Sequence, residues 1–266
     1  MQPAIQIGTR ESELAVWQAS LVKNLLAESG YSSELVFIKS DGDLDLQTPL
    51  YEMGVQGIFT RSLDIALLNR RIDIAVHSLK DVPTRLAEGI VQAAVLKRGN
   101  HKDLFVFNTN PAVANSARLR ESLKQTGALS FDHFECIIAT SSIRRKAQWL
   151  HRYPSHTITN LRGNINTRLQ KVYEDIWQGA IFAAAGLERI NLRPETSIEL
   201  DWMLPAPAQG AIVVVCRSED KYVLEATNQM NDETTAVCTS VEREFLKELL
   251  GGCATPISAF AESDKN

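Results

Sequence analysis

The segment His77–Thr84 brings an acid, a base and a hydroxyl together, which are groups that acid–base and electrostatic catalysis use. They are Asp81, Lys80 and Ser78, and they directly follow the apolar run at 72–76, which is typical of a buried strand. Ligands of α/β sheets bind outside the carboxyl ends of the strands, so these side chains could meet a ligand there. A capped turn, in which Ser78 or Asp81 accepts backbone N–H groups, is the alternative interpretation.

Two later strand-to-helix turns carry arginines. The first contains Ser141, Ser142, Arg144 and Arg145, and the second contains Arg162, Gly163 and Arg168. The serines can cap a helix whose free N–H groups favour an anion, and the planar guanidinium matches a carboxylate bidentately. Two such turns at one sheet edge indicate a ligand with several carboxylates or phosphates. The alternative is an ordinary basic first turn, which the helix dipole slightly disfavours.

The segment 250–256 carries a cysteine that could act as a nucleophile or covalent anchor. Gly251 and Gly252 remove side-chain cover from the approach to Cys253, and Pro256 stiffens the loop. A cysteine that is accessible and deprotonated can bond an electrophile. A helix C-cap turn is the alternative interpretation.

The other cysteines have no such setting. Cys136 and Cys216 lie in apolar strand-like runs and Cys238 in a helical stretch, so we expect packed thiols. No Cys-x-x-Cys pair occurs, and the spacing indicates neither a disulfide framework nor a metal site.

Hydrophobic periodicity predicts two α/β units that position these segments. In the first, strands are predicted at 5–7, 35–38, 72–76 and 91–96, and helices at 11–28 and 58–68. In the second, strands are predicted at 103–107, 136–139, 157–161 and 180–184, and helices at 142–151 and 164–176. Strands that alternate with helices predict mostly parallel sheets.

The order of the elements predicts two lobes with a double crossover. A proline-rich crossing at 204–207 precedes the apolar run 211–215, which is too short to found another sheet and should return to the first lobe. We therefore assign 1–104 and 211–230 to the first lobe, 105–210 to the second, and 231–266 to a C-terminal domain that carries Cys253. A cleft between two such lobes is a common ligand site.

Composition excludes several classes of protein. The chain of 266 residues has 44% hydrophobic residues, 23% charged residues and a net charge of −4, which gives no reason to expect nucleic acid or an anionic membrane as partner. No apolar run is long enough to span a bilayer, and no signal-peptide pattern is visible. A cytoplasmic location is expected.

These segments, in this order, resemble the porphobilinogen deaminase family over 7–261, and shorter stretches such as Thr9-Arg10-Glu11-Ser12 and Gln209-Gly210 agree. The resemblance implies a transferase, a hydroxymethylbilane synthase. Such an enzyme joins four porphobilinogen molecules into a linear tetrapyrrole on a dipyrromethane primer and releases ammonia. It also implies lobes like those of periplasmic binding proteins, plus a small C-terminal α+β domain that is shortened in this chain.

The resemblance also implies roles for individual residues. Asp81 would be the catalytic carboxylate. Cys253 would bind the cofactor covalently through a thioether. The other cofactor-binding residues would be Lys80, Ser78, Ser141, Arg144, Arg145, Arg162, Gly163, Arg168 and Gln209. The substrate-binding residues would be Arg10, Ser12, Ser142, Arg189 and Gln56. His77 would be structural. The implied partners are porphobilinogen and, downstream, uroporphyrinogen-III synthase, with a monomeric protein.

Two rival interpretations remain at this stage. A two-lobed non-enzymatic binding protein for a polycarboxylate would share the fold, but it would leave Cys253 without a role. A nucleotide-binding enzyme would need a glycine-rich phosphate loop, and the sequence has none. Within the family pattern, Gln56 stands where lysine is common and Ala208 where glycine is frequent.

Overall fold

A computed structural model describes residues 3–39, 60–118, 121, 135–249 and 255–263. The first part of the chain forms strands and helices in alternation. They are β1 (Ile5–Thr9), α1 (Glu13–Glu28), β2 (Ser33–Phe37), α2 (Arg61–Leu68), β3 (Ile74–Ser78) and β4 (Ile90–Val95). Gln56 and Cys253, two of the predicted site residues, lie outside the described residues.

A second series of elements follows. It comprises β5 (Asp103–Phe107), β6 (Ile137–Ala139), α3 (Ile143–Arg152), β7 (Thr157–Thr159), α4 (Ile165–Glu174), β8 (Gly179–Ala183), α5 (Ala184–Arg189) and β9 (Ser197–Glu199). The chain then forms β10 (Ile212–Arg217), α6 (Lys221–Asn228) and α7 (Glu233–Glu248).

The strands build two sheets, one in each lobe. Their orders are β2-β1-β3-β10-β4 and β7-β6-β8-β5-β9. In the first sheet β10 pairs antiparallel with β3 and β4, and in the second β5 pairs antiparallel with β8 and β9. Four of the five strands in each sheet therefore run in the same direction, as expected, and the fifth, β10 or β5, runs in the opposite direction. Both sheets are mixed, because β5 and β10 each follow a crossing between lobes and run against the strands beside them.

The predicted run at 211–215 lies in β10 except for its first residue, and β10 stands between β3 and β4 of the first sheet, as expected. All six residues of this strand are buried, as expected for a central strand covered on both faces. Side chains alternate along its neighbour β3: Ile74 and Val76 pack with α1 and α6, whereas Ala75 packs on the α2 side. The sheet is thus the middle layer of the first lobe.

Both lobes hold their sheet between helices, which confirms the two-lobe α/β class. In the second lobe, Phe105 and Ile138 pack around the buried Trp149 of α3 on one face. Leu104 and Ala139 pack with Val172 of α4 on the other face. This arrangement aims the carboxyl ends of β6 and β7, and the turns that follow them, at the space between the lobes.

The helix α7 lies against the first lobe. Its buried residues Thr235, Cys238, Thr239, Glu242 and Leu246 recur at three- and four-residue spacing and so share one face. Residues 255–263 contain no helix or strand, so α7 is what the described residues show of the expected α+β domain. Among the helices that the structure describes, none has the length and apolar character to cross a membrane.

Candidate functional site

A cavity of about 580 Å³ lies between the two lobes. Its described lining carries seven basic and three acidic side chains. They are Arg10, Lys39, Lys80, Arg145, Arg162, Arg168 and Arg189, and Glu11, Glu13 and Asp81. The cavity is therefore cationic although the whole chain has a net charge of −4. Fields focused in such a cleft favour an anionic ligand.

The turn that bears Lys80 and Asp81 is a single turn of 3₁₀ helix, Leu79–Asp81, directly after β3. Leu79 is buried and anchors the turn in the core of the first lobe. Arg243 of α7 donates from Nη1 to the carbonyls of Leu79 and Val82, at 3.2 and 2.9 Å. Its Nη2 donates to the carbonyl of Pro83 at 2.6 Å. The backbone is thus held from behind, and Asp81 itself is exposed on the cleft.

Lys80 is half-buried beside Asp81. Two crossings connect the lobes: the first, 96–102, joins β4 to β5, and the second, 200–211, joins β9 to β10. The ammonium of Lys80 is held from the second crossing. Its Nζ donates to Oε1 of Gln209 at 3.3 Å. Burial lowers the pKa of Lys80 to about 8, although the carboxylates of Asp81 and Asp103 act to raise it. Near neutral pH the side chain is therefore still mostly protonated, although its pKa of about 8 lies much closer to neutral pH than the ordinary lysine value.

Arg144 and Arg145 share one buried carboxylate, that of Asp103 at the start of β5. Nη2 of Arg144 donates to Oδ2 at 2.8 Å, and Nη2 of Arg145 donates to Oδ1 at 2.7 Å. Burial alone would raise the pKa of Asp103, but Arg145 and Arg144 outweigh it and hold that pKa at about 2. The carboxylate is therefore ionised, and two positive charges surround one negative charge.

The second arginine turn places Arg162 and Arg168 on the lining. Gly163 between them has a φ of +112°, a region that disfavours other residues, so the tight turn requires glycine. Nε of Arg168 donates to the carbonyl of Gly163 at 2.7 Å. Burial, and next the charges of Arg145 and Arg162, lower the pKa of Arg168 to about 10. The cations are close enough to repel one another, which an anionic ligand would relieve.

Comparison with known proteins identifies the family of this chain. Residues 5–225 match the family model "Porphobilinogen deaminase, dipyromethane cofactor binding domain", and 236–266 match the C-terminal domain of the same family. The chain belongs to the porphobilinogen deaminase family. It is 41% identical over 271 residues to the chloroplastic porphobilinogen deaminase of Oryza sativa, covering 98% of this chain and 71% of that protein.

Other members of the porphobilinogen deaminase family agree. A probable porphobilinogen deaminase of Methanocaldococcus jannaschii is 38% identical, with 98% of this chain and 84% of that protein covered. The porphobilinogen deaminase of Listeria monocytogenes is also 38% identical, with 98% and 82% covered. A solved methionine-binding protein, MetQ, is 12% identical with a TM-score of 0.50, covering 97% of this chain and 99% of its own. That likeness concerns the fold alone.

In this deaminase-family chain most of the predicted site residues line one cavity. They are Asp81, Ser78, Lys80, Arg145, Arg162, Gly163 and Arg168, together with Arg10, Ser12 and Arg189. They come from both lobes and from turns far apart in sequence. The resemblance to the family and its dipyrromethane-binding domain are confirmed.

Four predicted site residues lie off the lining. Oγ of Ser141 both donates to the carbonyl and accepts from the N–H of Leu161, at 2.9 Å each, which ties the two arginine turns together. Ser142 accepts from the backbone N–H of Arg145 and caps α3. Arg144 is directed to Asp103 and to the carbonyl of Leu204. Gln209 is fully buried among the crossings.

Sequence reasoning missed Asp103 and Arg243 as parts of the site. Asp103 opens a strand whose five residues are all buried, and a buried carboxylate requires cationic partners. That signal was available, because an acid heads the apolar run Leu104–Phe107 in a lobe rich in arginine. The sequence carries no signal that Arg243 belongs to the site, since its partners are backbone carbonyls 160 or more residues away.

His77 was predicted to be structural rather than a metal ligand. It is buried, and burial together with the charge of Arg10 lowers its pKa to about 4. In the described part of the chain no three His, Cys, Asp or Glu side chains are grouped as metal ligands would be.

Proposed function

We propose that this chain is a porphobilinogen deaminase, a transferase that condenses four porphobilinogen molecules into the linear tetrapyrrole hydroxymethylbilane and releases ammonia. One observation carries the proposal: the carboxylate of Asp81 stands exposed in a cleft between lobes that is lined by seven cations. Porphobilinogen is a pyrrole with two carboxylate arms and an aminomethyl group, so it needs both features.

The lining suits a dipyrromethane bearing four carboxylates. The lowered pKa of Arg168, to about 10, reflects burial and crowding of guanidiniums that carboxylates would offset. Arg145, Arg162, Arg168 and Lys80 would hold these arms, and Cys253 would form the thioether. When bound, the dipyrromethane supplies the α-carbon to which each incoming pyrrole is joined. Ser141, Arg144 and Gln209 lie behind the lining and would hold the turns that carry the lining residues in place.

Asp81 would carry the proton and charge transfers. Its carboxylate can accept a hydrogen bond from the pyrrole N–H of the substrate and stabilise positive charge on that ring as ammonia departs. Because Arg243 and the buried Leu79 fix the backbone on either side, the carboxylate needs little reorganisation during the reaction. Arg10 and Ser12 of the same lobe and Arg189 of the second lobe line the same cleft and would bind the substrate carboxylates. Gln56 and Ser142 would be further donors.

The covalent assignment has a direct test. The intact mass of protein purified from cells that make porphobilinogen should exceed the mass of the chain by two pyrrole units. The Cys253→Ser variant should lack this adduct, and Cys238→Ser, which changes a buried cysteine in α7, should keep it. An unmodified wild-type protein, or an adduct that persists in Cys253→Ser, would refute the assignment.

The role of Asp81 is tested by Asp81→Asn, which keeps the size of the side chain and removes its charge. We expect turnover of porphobilinogen to fall by about two to four orders of magnitude while the mass adduct remains. The matched control is Asp201→Asn, an exposed aspartate of the second lobe that pairs with Lys102. Near-normal turnover in Asp81→Asn would remove it from the catalytic role.

The alternative function, a two-lobed non-enzymatic binding protein for a polycarboxylate, draws on fold likeness alone. It gives Cys253 no role, and the same experiments separate it. A protein that binds porphobilinogen without releasing ammonia would support that alternative.

Further assignments remain our proposals. The division into lobes 1–104 with 211–230 and 105–210, with 231–266 as C-terminal domain, is supported by the two separate sheets. We infer a monomer that passes its product to uroporphyrinogen-III synthase. The cytoplasmic location stays a prediction, since the rice relative is named chloroplastic.

A further inference from the structure

We propose that Asp103 is the positioning residue of the cleft: it holds Arg145 on the second lobe and, through Gln209, Lys80 on the first lobe, so that both face one ligand. Its carboxylate lies behind the lining and would not touch the ligand. The inference rests on the proposed function only for the identity of that ligand.

The first step is the grip on Arg145. Oδ1 of Asp103 accepts from Nε and Nη2 of Arg145 at 3.1 and 2.7 Å, while Nη1 of Arg145 donates to the carbonyl of Ile181 at 2.9 Å. Every nitrogen of this guanidinium is therefore held, and its direction is fixed. Arg145 nevertheless lines the cavity, so a ligand carboxylate meets it already oriented.

The second step is the link to the opposite lobe. Nε2 of Gln209 donates to Oδ1 of Asp103 at 2.9 Å and to the carbonyl of His101 at 2.8 Å. These two acceptors fix the orientation of the amide, and its Oε1 accepts from Nζ of Lys80 at 3.3 Å. A continuous chain of hydrogen bonds thus runs from Arg145 through Asp103 and Gln209 to Lys80.

The third step is electrostatic. The charged groups that act on Lys80 are Asp81 of its own turn, Asp103 of β5, and Arg144 and Arg145 of α3. The two carboxylates raise the pKa of Lys80, whereas burial and the two arginines lower it, and the result is about 8. Removing the charge of Asp103 would take away one of the two carboxylates named here that raise this pKa, while both arginines remain. Lys80 would then lose its proton at a lower pH.

The test follows the titration of Lys80 without requiring turnover. Labelling of Lys80 by an amine-reactive reagent across pH, read by peptide mass spectrometry, gives its midpoint. All proteins in this test also carry Cys253→Ser, so that no tethered carboxylate acts on Lys80. We expect the midpoint near pH 8 without a further change and lower with Asp103→Asn, by on the order of one pH unit. Asp201→Asn, which removes a carboxylate from Lys102, should leave the Lys80 midpoint unchanged. A folded Asp103→Asn protein with an unshifted midpoint would overturn the proposal.

The Cys253→Ser protein without Asp103→Asn covers the case in which the double variant does not fold. A Lys80 midpoint near the ordinary 10.5 in that protein would show that this lysine is not held in the buried network, and would also overturn the proposal. A midpoint near 8 that falls in Gln209→Met would support it, because that change breaks the bridge and leaves the Asp103–arginine pairs intact.

Kinetics separate positioning from a merely structural role. In Asp103→Asn we expect KM for porphobilinogen to rise more at pH 8.5 than at pH 7, because Lys80 is neutral in a larger fraction of molecules. Adding Lys80→Arg should remove this pH dependence and lower KM again at pH 8.5, since arginine keeps its charge at both pH values. A KM increase that is equal at both pH values, and is not restored by Lys80→Arg, would indicate a structural role only.

The two proposals can fail separately. A wild-type protein without turnover, yet with a Lys80 midpoint that shifts in Asp103→Asn, would refute the proposed function and leave Asp103 as a positioning residue for another anion. Normal turnover with an unshifted midpoint would refute the role of Asp103 alone.

Discussion

His77 illustrates how a single residue beside the cleft couples to pH. It is 7% exposed, and burial lowers its pKa from 6.5 to about 4. The folded protein therefore holds a neutral imidazole at neutral pH. The unfolded chain binds a proton more readily, so protonation favours unfolding. The stability that His77 contributes is complete above about pH 6.5 and is lost as the pH falls toward 4.

We therefore expect part of the acid sensitivity of the protein to disappear in His77→Gln. At pH 5 the imidazole should account for about 2 kcal/mol of the lost free energy of unfolding. Urea denaturation at pH 7 and pH 5 measures this for the wild type and the variant. His151→Gln, at an exposed position in α3, is the control. An equal loss in His77→Gln and the wild type would contradict the assignment.

The individual site residues show how much of the site could be predicted from the sequence. Asp81, Lys80 and the arginines were found because each follows a predicted strand, and the carboxyl ends of strands meet at one edge. That Arg145 lines the cavity while its neighbour Arg144 turns behind it was not predictable. Adjacent helix positions differ by about 100°, and tertiary contacts decide which one faces the cleft, such as that of Arg144 with the carbonyl of Leu204.

Among the elements, α7 links the turn that bears Asp81 to both crossings. Glu242 is 1% exposed. Its carboxylate accepts from Nη1 and Nη2 of Arg98 in the first crossing, at 2.6 and 3.1 Å, and from the N–H of Ala208 in the second, at 2.6 Å. The N–H of Ala261 donates to it as well, at 2.9 Å. One side chain thus satisfies donors from three separate segments.

Glu242→Gln should accordingly be costly. It leaves the largely buried guanidinium of Arg98 without its counter-charge, and we expect a loss of about 3–5 kcal/mol in the free energy of unfolding. Glu244→Gln is the matched control, because Glu244 is exposed on the same helix and pairs only with Lys247 in the described structure. We expect a change of less than about 1 kcal/mol there. Similar denaturation midpoints for both variants would show that Glu242 is not the link.

Elements were predictable to the extent that local pattern decides them. The predicted strand 103–107 agrees with β5, and the predicted helix at 142–151 agrees with α3 to within one residue at each end. The three-residue strand β9 and the short helices α5 and α6 were missed, since such short segments show too little periodicity. The reversed direction of β5 and β10 was also missed, because it depends on how the crossings are traversed and not on the residues of these strands.

At the scale of the whole molecule, the lobes are joined where the two crossings touch. The N–H of Gly99 donates to the carbonyl of Gly210 at 3.0 Å, and Nη2 of Arg189 donates to the same carbonyl at 2.6 Å. Gly210 has a φ of +89°, and a Cβ there would lie 2.8 Å from the carbonyl oxygen of Gly99 and 3.0 Å from that of Asn100. A side chain at Gly210 would push the crossings apart.

Gly210→Ala should therefore be less stable than a change of backbone preference alone explains. Gly30→Ala is the control: its φ is +87°, but nothing lies within 4 Å of the added methyl group. We expect a loss of about 1 kcal/mol for Gly30→Ala and a further loss of about 1–3 kcal/mol for Gly210→Ala. Denaturation measures both, and small-angle scattering should show a wider separation of the lobes in Gly210→Ala only. Equal losses of stability in the two variants would show that the crossings are not in tight contact at Gly210.

The hold of Arg243 on the turn of Asp81 has a consequence for how a product could lengthen. Three backbone carbonyls bind this guanidinium, so α7 cannot slide along its axis without breaking them. In sequence, Cys253 follows soon after α7 ends at Glu248. The carboxylate of Asp81 is thus fixed relative to α7, the helix that precedes Cys253 in sequence. If Cys253 holds the growing oligomer, as we propose, each added ring would be accommodated by folding the oligomer back into the cleft, not by moving Asp81 away from α7.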